Sequence, residues 1–230
     1  MAKKRISRAR KRDLDQPDEF ITFWTKLLEF CSARKAQLSY VFGGMVVLVI
    51  ITTGIVYHSI KSEDKAFNLF QQGIDKYQSI TKREGPDKAY LDVKEDFQLI
   101  IEKYAGRKGT KLARFVYANI CYTAKNYDEA IELYNQSLVD FNDEPFINYL
   151  VLNGLGYSHK IKKDYKTAIK YFEMIASAPD SALKDEALFN LGELYAKTGS
   201  HDKSINTYQK IISDHSDSMY IEIVKERIIG

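Results

Sequence analysis

The chain has 230 residues, a formal net charge of +3 and two cysteines. This length allows one globular domain of moderate size, and two cysteines exclude the disulfide framework of a small secreted domain. The near-balanced charge excludes a generally basic nucleic-acid-binding protein, so we do not expect nucleic acid as a partner of the main domain. The charge is nevertheless uneven, because residues 1–38 hold ten Lys and Arg against five Asp and Glu.

The first segment, residues 1–16, is a basic arm. Its stretch from Lys3 to Arg12, KKRISRARKR, carries seven positive charges and no negative one. Such a run is typical of a solvated, disordered tail, and it could also contact anionic lipid or ribosomal RNA. Because basic residues next to a membrane span stay on the cytoplasmic side, we expect a cytoplasmic arm if a span follows.

Residues 17–38 have the pattern of an amphipathic juxtamembrane helix. Pro17, Asp18 and Glu19 suit the first turn of a helix, where proline and acidic residues are favoured. Apolar residues then recur at helical spacing, and they are Phe20, Phe23, Trp24, Leu27, Leu28 and Cys31. This aromatic face suits the headgroup layer of a membrane. The alternative is a helix that docks on a partner protein or folds back on this chain.

Residues 39–60 predict a transmembrane helix. No charged residue occurs from Tyr40 to Tyr57, YVFGGMVVLVIITTGIVY, and Ser39 and His58 extend the uncharged run to 20 residues. This length crosses about 30 Å of hydrocarbon. One alternative is a buried core helix, and another is a cleaved signal peptide, although the run is long for one and YHSIK offers no small-residue cleavage site. We therefore expect a retained single-pass anchor in the inner (plasma) membrane.

Residues 61–230 are predicted to form an all-α domain, an α-α superhelix of about 3.5 helical-hairpin repeats. A small or aliphatic residue followed four positions later by an aromatic one recurs every 36–38 residues: Val93 and Phe97, Ala130 and Tyr134, Ala168 and Phe172, Ser204 and Tyr208. A period of this size is the signature of stacked helical hairpins. The alternative is a generic helical bundle.

The leading helix of each hairpin supports this register. Gly156 and Gly192, each preceded by Leu, stand twelve residues before Ala168 and Ser204. This matches the tetratricopeptide pattern, in which a small residue lets two helices approach and a bulky one fills the gap beside it. Turns inside the hairpins are expected at Lys125-Asn126, Lys163-Asp164 and Gly199-Ser200.

The two ends of the array are expected to be irregular, because terminal repeats have a neighbour on one side only. The first leading helix is predicted from about Ser59 to Tyr77, and an extended turn is predicted from Lys82 to Asp87. The last helix, from about Met219 to Ile229, should cap the array with Tyr220, Ile223, Val224 and Ile228.

The order of these segments resembles a known family. An amphipathic segment like DEFITFWTKLLEF, one span, a helix like KSEDKAFNLFQQGIDKY and about three and a half tetratricopeptide-like units together look like the ancillary subunit of the SecYEG translocon. The resemblance covers most of residues 18–230, and the basic arm departs from it. It implies a periplasmic tetratricopeptide domain that works beside the translocon with periplasmic chaperones. The cell division coordinator with a tetratricopeptide domain is a weaker match.

Few residues offer chemistry. His159 stands where the repeat pattern calls for a core aromatic residue, so we expect it to pack in the array. The stretch from Asp214 to Asp217, DHSD, lacks the second histidine that a metal site on one helix face needs, and Gly106 to Gly109 lacks the spacing of a phosphate-binding loop. We therefore predict no catalytic residue, no cofactor and no metal.

Surface recognition is then the remaining way to act. In such arrays the leading helices line a concave groove, and the register places eight residues there: Phe115, Asn119, Tyr122, Asn153, Tyr157, Lys160, Phe189 and Glu193. We name these eight residues the predicted groove. Asn and Tyr can bond an extended peptide backbone, and aromatic faces can hold apolar side chains. The alternative is that several of them pack between helices.

The sequence thus predicts a membrane-anchored interaction scaffold, an accessory of the Sec translocon that contacts translocon subunits, periplasmic chaperones or emerging clients. Membrane lipid is expected to contact the span and the amphipathic helix. The alternative within the binding class is a cell-division or outer-membrane assembly adaptor with a periplasmic repeat domain. An enzyme or transport component whose chemistry arises only in the tertiary structure is the alternative from another class.

Overall fold

A computed structural model describes the backbone of residues 19–229 and the side chains from Phe23 onward. Residues 19–229 contain ten α-helices and no strand. The helices are α1 Glu19–Ala33, α2 Lys35–Glu84, α3 Pro86–Lys103, α4 Lys108–Thr123, α5 Tyr127–Asp140, α6 Pro145–Ile161, α7 Tyr165–Ser177, α8 Lys184–Lys197, α9 His201–Asp214 and α10 Ile221–Ile229. The predicted basic arm and the predicted helix start at Pro17 lie outside the described residues.

The chain divides into two compact units, residues 1–59 and residues 60–230. In the first unit α1 ends at Ala33, and Arg34 alone separates it from α2. Residues 35–38 thus continue into the apolar run instead of belonging to the amphipathic helix. The side chains from Tyr40 to Tyr57 are all exposed, and the length and composition of α2 suffice to cross a membrane. Such a helix satisfies its own backbone hydrogen bonds, as a bilayer requires.

The second unit is a row of helical hairpins. The part of α2 from residue 60 onward precedes α3, and the pairs α4–α5, α6–α7 and α8–α9 follow, with α10 at the end. From α3 onward each helix packs on the next one along the chain. The predicted extended turn from Lys82 to Asp87 is wrong, because α2 continues to Glu84 and only Gly85 precedes Pro86 at the start of α3. Gly85 has a φ of 88°, which favours glycine.

The predicted packing of small residues against aromatic ones is confirmed. A Cβ added to Gly156 would lie 2.7 Å from the Phe172 ring, and one added to Gly192 would lie 2.2 Å from the Tyr208 ring. No real Cβ tolerates such contacts, so glycine at both positions lets the leading helix rest on the aromatic ring of its partner. Ala168 and Phe172 are fully buried, as the register requires.

The three turns inside the hairpins are also confirmed, and they share one geometry. Lys125, Lys163 and Gly199 have φ values of 62°, 62° and 77°. In each case the N–H of the next residue donates to a carbonyl five positions earlier, as Asn126 does to Cys121 at 2.8 Å. This is the Schellman closure of a helix C-terminus.

The last helix begins at Ile221, two residues after the predicted Met219. Val224 is buried, and Tyr220 and Ile228 pack beside it, as expected of a cap. Ile223 is 44% exposed, so its predicted place in the cap is wrong. Consecutive residues of a helix are about 100° apart, so Ile223 is directed away from the contact that buries Val224.

Candidate partner-binding groove

All eight residues of the predicted groove lie on the leading helices α4, α6 and α8, and none of them is fully buried. The structure divides them into two groups. Those on α4 make their ring contacts and side-chain hydrogen bonds within their own hairpin. Those on α6 and α8 are bonded to one another and to α10.

The group on α4 keeps polar atoms available. Phe115 packs edge-on against Phe141 with ring centroids 6.4 Å apart, and Tyr122 packs against Tyr127 at 5.6 Å. The exposed Asn119 accepts a 2.6 Å hydrogen bond from the Tyr134 hydroxyl through its Oδ1 atom. This bond orients the amide, so that its NH₂ group, which donates to no other described residue, can serve a ligand.

The residues on α6 are bonded to the next leading helix. The Tyr157 hydroxyl donates to Glu186 Oε1 at 2.7 Å and accepts from Asn190 Nδ2 at 3.0 Å. Asn153 Nδ2 donates to the same Glu186 oxygen at 3.2 Å. The sequence prediction omitted Glu186 and Asn190. Their spacing to Glu193 along α8 puts all three on one helix face, and this was the signal that could have found them.

A second set of bonds continues this network to α10. Lys160 Nζ lies 2.6 Å from Asn190 Oδ1 and 2.7 Å from Glu193 Oε2. Arg227 on α10 pairs with the other Glu193 oxygen at 2.9 Å. Burial alone would raise the pKa of Glu193, but Lys160 and Arg227 outweigh it and hold this pKa below its usual value. The carboxylate is thus fixed in its charged form between two cations.

The α10 segment also covers the aromatic residue of α8. The Tyr220 ring stacks on Phe189 with centroids 4.5 Å apart, and the Arg227 guanidinium lies 5.2 Å from the Phe189 centroid. Five of the eight predicted residues therefore hold neighbouring helices together. At the α6–α8 end, several residues of the predicted groove therefore pack between helices, which is the alternative stated in the sequence analysis.

One further residue on the groove side was missed. Phe146 follows Pro145 at the start of α6 and is 66% exposed. Its spacing to Leu150, Asn153 and Tyr157 places it on the same face of the helix. The sequence pattern did not identify Phe146 because it precedes the positions that recur in each hairpin. An exposed phenylalanine on this face adds aromatic surface at the start of α6.

A polar cluster lies inside the first complete hairpin and its neighbour α3. Glu129 accepts hydrogen bonds from the hydroxyls of Tyr117 at 3.0 Å and Tyr90 at 2.8 Å, and Lys94 lies 3.5 Å from it. Burial raises the pKa of Tyr117, and it raises the pKa of the neighbouring Cys121 to about 12. A thiol held neutral in this way is a poor nucleophile, so the cluster supports packing rather than covalent chemistry.

The other candidate residues have structural surroundings. The His159 ring packs at a tilt against Tyr171 with centroids 5.6 Å apart, and its Nδ1 atom lies 3.0 Å from Asp164, so His159 packs within its hairpin. The Gly109 N–H donates to Glu63 Oε1 at 2.8 Å at the start of α4. His215 is the C-terminal cap of α9. Within residues 19–229, no group of three potential metal ligands comes together.

The comparisons with known proteins agree with this geometry. Two family descriptions of the tetratricopeptide repeat match the chain, one over residues 101–145 and one over residues 186–218. Among solved structures, the chain is similar to a tetratricopeptide repeat protein from Parabacteroides merdae, with a TM-score of 0.55 and 14% identity. This match covers 69% of the chain and 58% of that protein. None of the curated proteins matches.

Two of the hairpins match the tetratricopeptide repeat, and the array has a tetratricopeptide-like superhelical fold. The two family matches coincide with α4–α5 and α8–α9, which are the first and third complete hairpins. Tetratricopeptide repeats typically form non-catalytic scaffolds that bind other proteins. The repeat array of this chain therefore indicates a protein-interaction scaffold.

Proposed function

We propose that this chain is a membrane-anchored scaffold whose groove binds an extended polypeptide segment at its α4 end. The observation that carries the proposal is the contrast along the predicted groove. Asn119, Tyr122 and the exposed Phe146 keep surface available, whereas Tyr157, Lys160 and their partners are bonded to one another. A partner that bound at the α8 end would first have to break those bonds.

The open end has the groups that peptide recognition needs. The Asn119 amide can donate to a backbone carbonyl, because its own oxygen is already held by Tyr134. Phe115, Tyr122 and Phe146 offer aromatic surface for apolar side chains. An extended segment presents backbone groups and alternating side chains together, so it matches this combination better than a folded surface does.

The membrane anchor determines the side of the membrane on which the groove binds its partner. We propose that residues 39–60 span the inner membrane, that the basic arm of residues 1–16 remains cytoplasmic and that residues 61–230 are periplasmic. The seven positive charges from Lys3 to Arg12 motivate this orientation. Anchoring raises the effective concentration of the domain near a membrane-embedded partner, so modest groove affinity is sufficient. A periplasm-active reporter fused after Gly230 should be active, and activity of only a cytoplasmic reporter would reverse the orientation.

We further propose that the membrane-embedded partner is the Sec translocon and that the groove receives a periplasmic chaperone or an emerging client. The support for this assignment is the order of segments, in which an amphipathic stretch, one span and a repeat array resemble the ancillary translocon subunit. In this arrangement the span contacts the translocon and the groove contacts a soluble protein.

Photo-crosslinking of the full chain in its native cells tests this division. A photoreactive residue replaces Asn119 or Tyr122 in the groove, and Val46 or Ile50 in the span. A photoreactive residue at the exposed Gln136 of α5 serves as the control outside the predicted groove. The groove positions should capture a soluble periplasmic protein that the control position does not, and the span positions should capture a translocon subunit.

The groove assignment and the translocon assignment can be contradicted independently of each other. Groove positions that capture nothing more than Gln136, in a chain with unchanged helical circular dichroism, would contradict the groove assignment. Span positions that capture a division or outer-membrane assembly protein instead of the translocon would favour the alternative adaptor. The second result would leave the peptide-binding groove intact.

A further inference from the structure

The repeat array carries opposite charges at its two edges. Inside the three complete hairpins, the connections run from the last residue of one helix to the first residue of the next, over residues 123–127, 161–165 and 197–201. Together they contain four lysines and one aspartate. The connections that follow these hairpins, residues 140–145, 177–184 and 214–221, contain one lysine and six acidic residues. Because short connections join antiparallel helices, the two sets lie at opposite edges, and we name the first set the turn edge.

Neighbouring connections of the turn edge are in contact with one another. Lys162 of the second connection pairs with Asp128, which directly follows the first connection. Lys197 of the third connection lies over the ring of Tyr165 in the second, with its Nζ atom 5.9 Å from the ring centroid. The lysines of the turn edge therefore form one continuous row across three hairpins.

Several cations of this row are available to a partner. Lys125, Lys163 and the adjacent Lys166 are exposed, and none of them forms an ion pair with a described residue. The one aspartate of the turn edge, Asp164, caps α7 by accepting a hydrogen bond from the Thr167 N–H at 3.3 Å. A row of unpaired ammonium groups produces a positive potential that attracts carboxylates.

A pocket opens in this row between the first two connections. Its volume is about 310 Å³, and its walls include Lys125, Tyr127 and Lys162. Asp128 also lines the pocket, but its side chain is 88% exposed, so its pair with Lys162 is weak and a second carboxylate can share this lysine. Glu129 lines it as well and is bonded within the polar cluster described above. An entering acidic side chain thus meets two ammonium groups and an aromatic ring.

We propose that the turn edge, together with Lys166, binds an extended acidic segment of another protein at a site separate from the predicted groove. Charge complementarity selects an acidic partner, and the opposite edge repels the same segment. The shape of the row selects a linear partner, because a membrane surface needs cations spread over a plane. In an extended segment every second side chain has the same direction, so alternate acidic residues can follow the row.

Lysine footprinting of the full chain in phosphatidylcholine nanodiscs tests this proposal. The probe is a peptide of alternating Glu and Ser with both ends capped, which contains no amine. Acetylation followed by mass spectrometry gives a labelling rate for each lysine. The peptide should slow labelling of Lys125, Lys163 and Lys166 by about threefold or more, because bound carboxylates shield their amines. Lys184 and Lys210, which line one pocket at the opposite edge, should change little.

A matched pair of double variants tests whether the lysines act as one row. Lys125→Gln with Lys166→Gln removes two charges from the row and should reduce the protection of Lys163 by about twofold or more. Lys184→Gln with Lys210→Gln removes the same charge from the opposite edge and should leave this protection unchanged. Equal losses in the two double variants would show that only the net charge of the chain attracts the peptide, and the turn edge would not be a site.

Two further results would overturn other parts of the proposal. Equal protection by a peptide of alternating Gln and Ser would show that the turn edge does not select acidic residues. Protection of the same lysines by phosphatidylglycerol nanodiscs, without any peptide, would show that the turn edge contacts the membrane instead of a protein. The basic arm also attracts an acidic peptide, but its lysines are measured separately in the same spectra. Neither peptide has an apolar side chain for the predicted groove, so these results are independent of groove binding.

Discussion

The first and third complete hairpins have the same backbone arrangement, but their surface residues are bonded differently. In α4–α5 the groove residue Asn119 bonds Tyr134 of its own hairpin and keeps its amide NH₂ group available. In α8–α9 the residue at the equivalent register position is Glu193, which is held by Lys160 of the hairpin before and Arg227 of the helix after. The same position is therefore exposed in one repeat and bonded to neighbouring helices in the other.

Their interiors differ as well. Tyr117 in α4 corresponds by register to Leu191 in α8. The tyrosine is buried with its hydroxyl on Glu129, whereas the leucine packs among aliphatic and aromatic side chains. The residue that corresponds to Glu129 is Lys203, which lies 5.6 Å from the Tyr195 ring. The two hairpins thus share the positions at which their helices pack. The side-chain interactions at each position depend on the neighbouring residues.

The largest expected effect tests the plan that all complete hairpins share. Phe172→Ala in residues 61–230 should lower the free energy of unfolding by about 3–5 kcal/mol, because the ring is fully buried against Gly156. Urea unfolding followed by circular dichroism measures it. Met174→Ala, on the same helix and 43% exposed, is the control and should cost far less. A loss below about 1 kcal/mol for Phe172→Ala would contradict the register.

The next effect tests the difference between the two interiors. Glu129→Ala should cost about 2–3 kcal/mol, because Tyr90 and Tyr117 lose their acceptor while largely buried. Lys203→Ala at the equivalent position should cost about 1 kcal/mol or less, since an exposed cation–π contact contributes little. Both values come from urea unfolding of residues 61–230. Equal costs would mean that the two interiors do not differ as described.

The register was predictable because it depends on local spacing. Ala168, Phe172 and the two glycines recur with the period of the hairpins, and their packing follows from steric size alone. The Schellman turns were predictable for the same reason. By contrast, the sequence analysis did not predict that α2 continues to Glu84. The stretch from Lys82 to Asp87 contains several turn-forming residues, but Gly85 alone separates α2 from α3.

The pairing of the groove residues was not predictable from spacing. Tyr157 and Glu186 are 29 residues apart, and Lys160 and Glu193 are 33 residues apart. A helical period shows which face a residue lies on, but not whether a long side chain from the next leading helix reaches it. The sequence therefore predicted the helices on which the groove residues lie and could not separate open positions from paired ones.

A smaller effect concerns the thiol of the first hairpin. Burial raises the pKa of Cys121 to about 12, so the folded chain keeps the thiol neutral at pH values where the unfolded chain ionises it. Protonation then favours the folded state below the ordinary thiol pKa, and this advantage falls as the pH rises toward 12. Between pH 8 and pH 10 residues 61–230 should lose about 1–2 kcal/mol more than their Cys121→Ala variant. Parallel losses would contradict a buried neutral thiol.

The smallest effect separates the turns of the two hairpins, which have different residues at the left-handed position. Lys125 and Gly199 adopt the same left-handed conformation, with φ of 62° and 77°, and only glycine adopts it without steric cost. Lys125→Gly should therefore stabilise residues 61–230 by about 0.5–1 kcal/mol, and Gly199→Ala should destabilise them by about 1 kcal/mol. A Cβ at Gly199 would meet no atom within 4 Å, so the second value isolates the backbone conformation from any clash. Lys166→Gly, inside the first turn of α7, is the control for glycine in general and should destabilise. If Lys125→Gly destabilises as well, the lysine side chain contributes more to its turn than its backbone conformation costs, and the two turns are alike only in geometry.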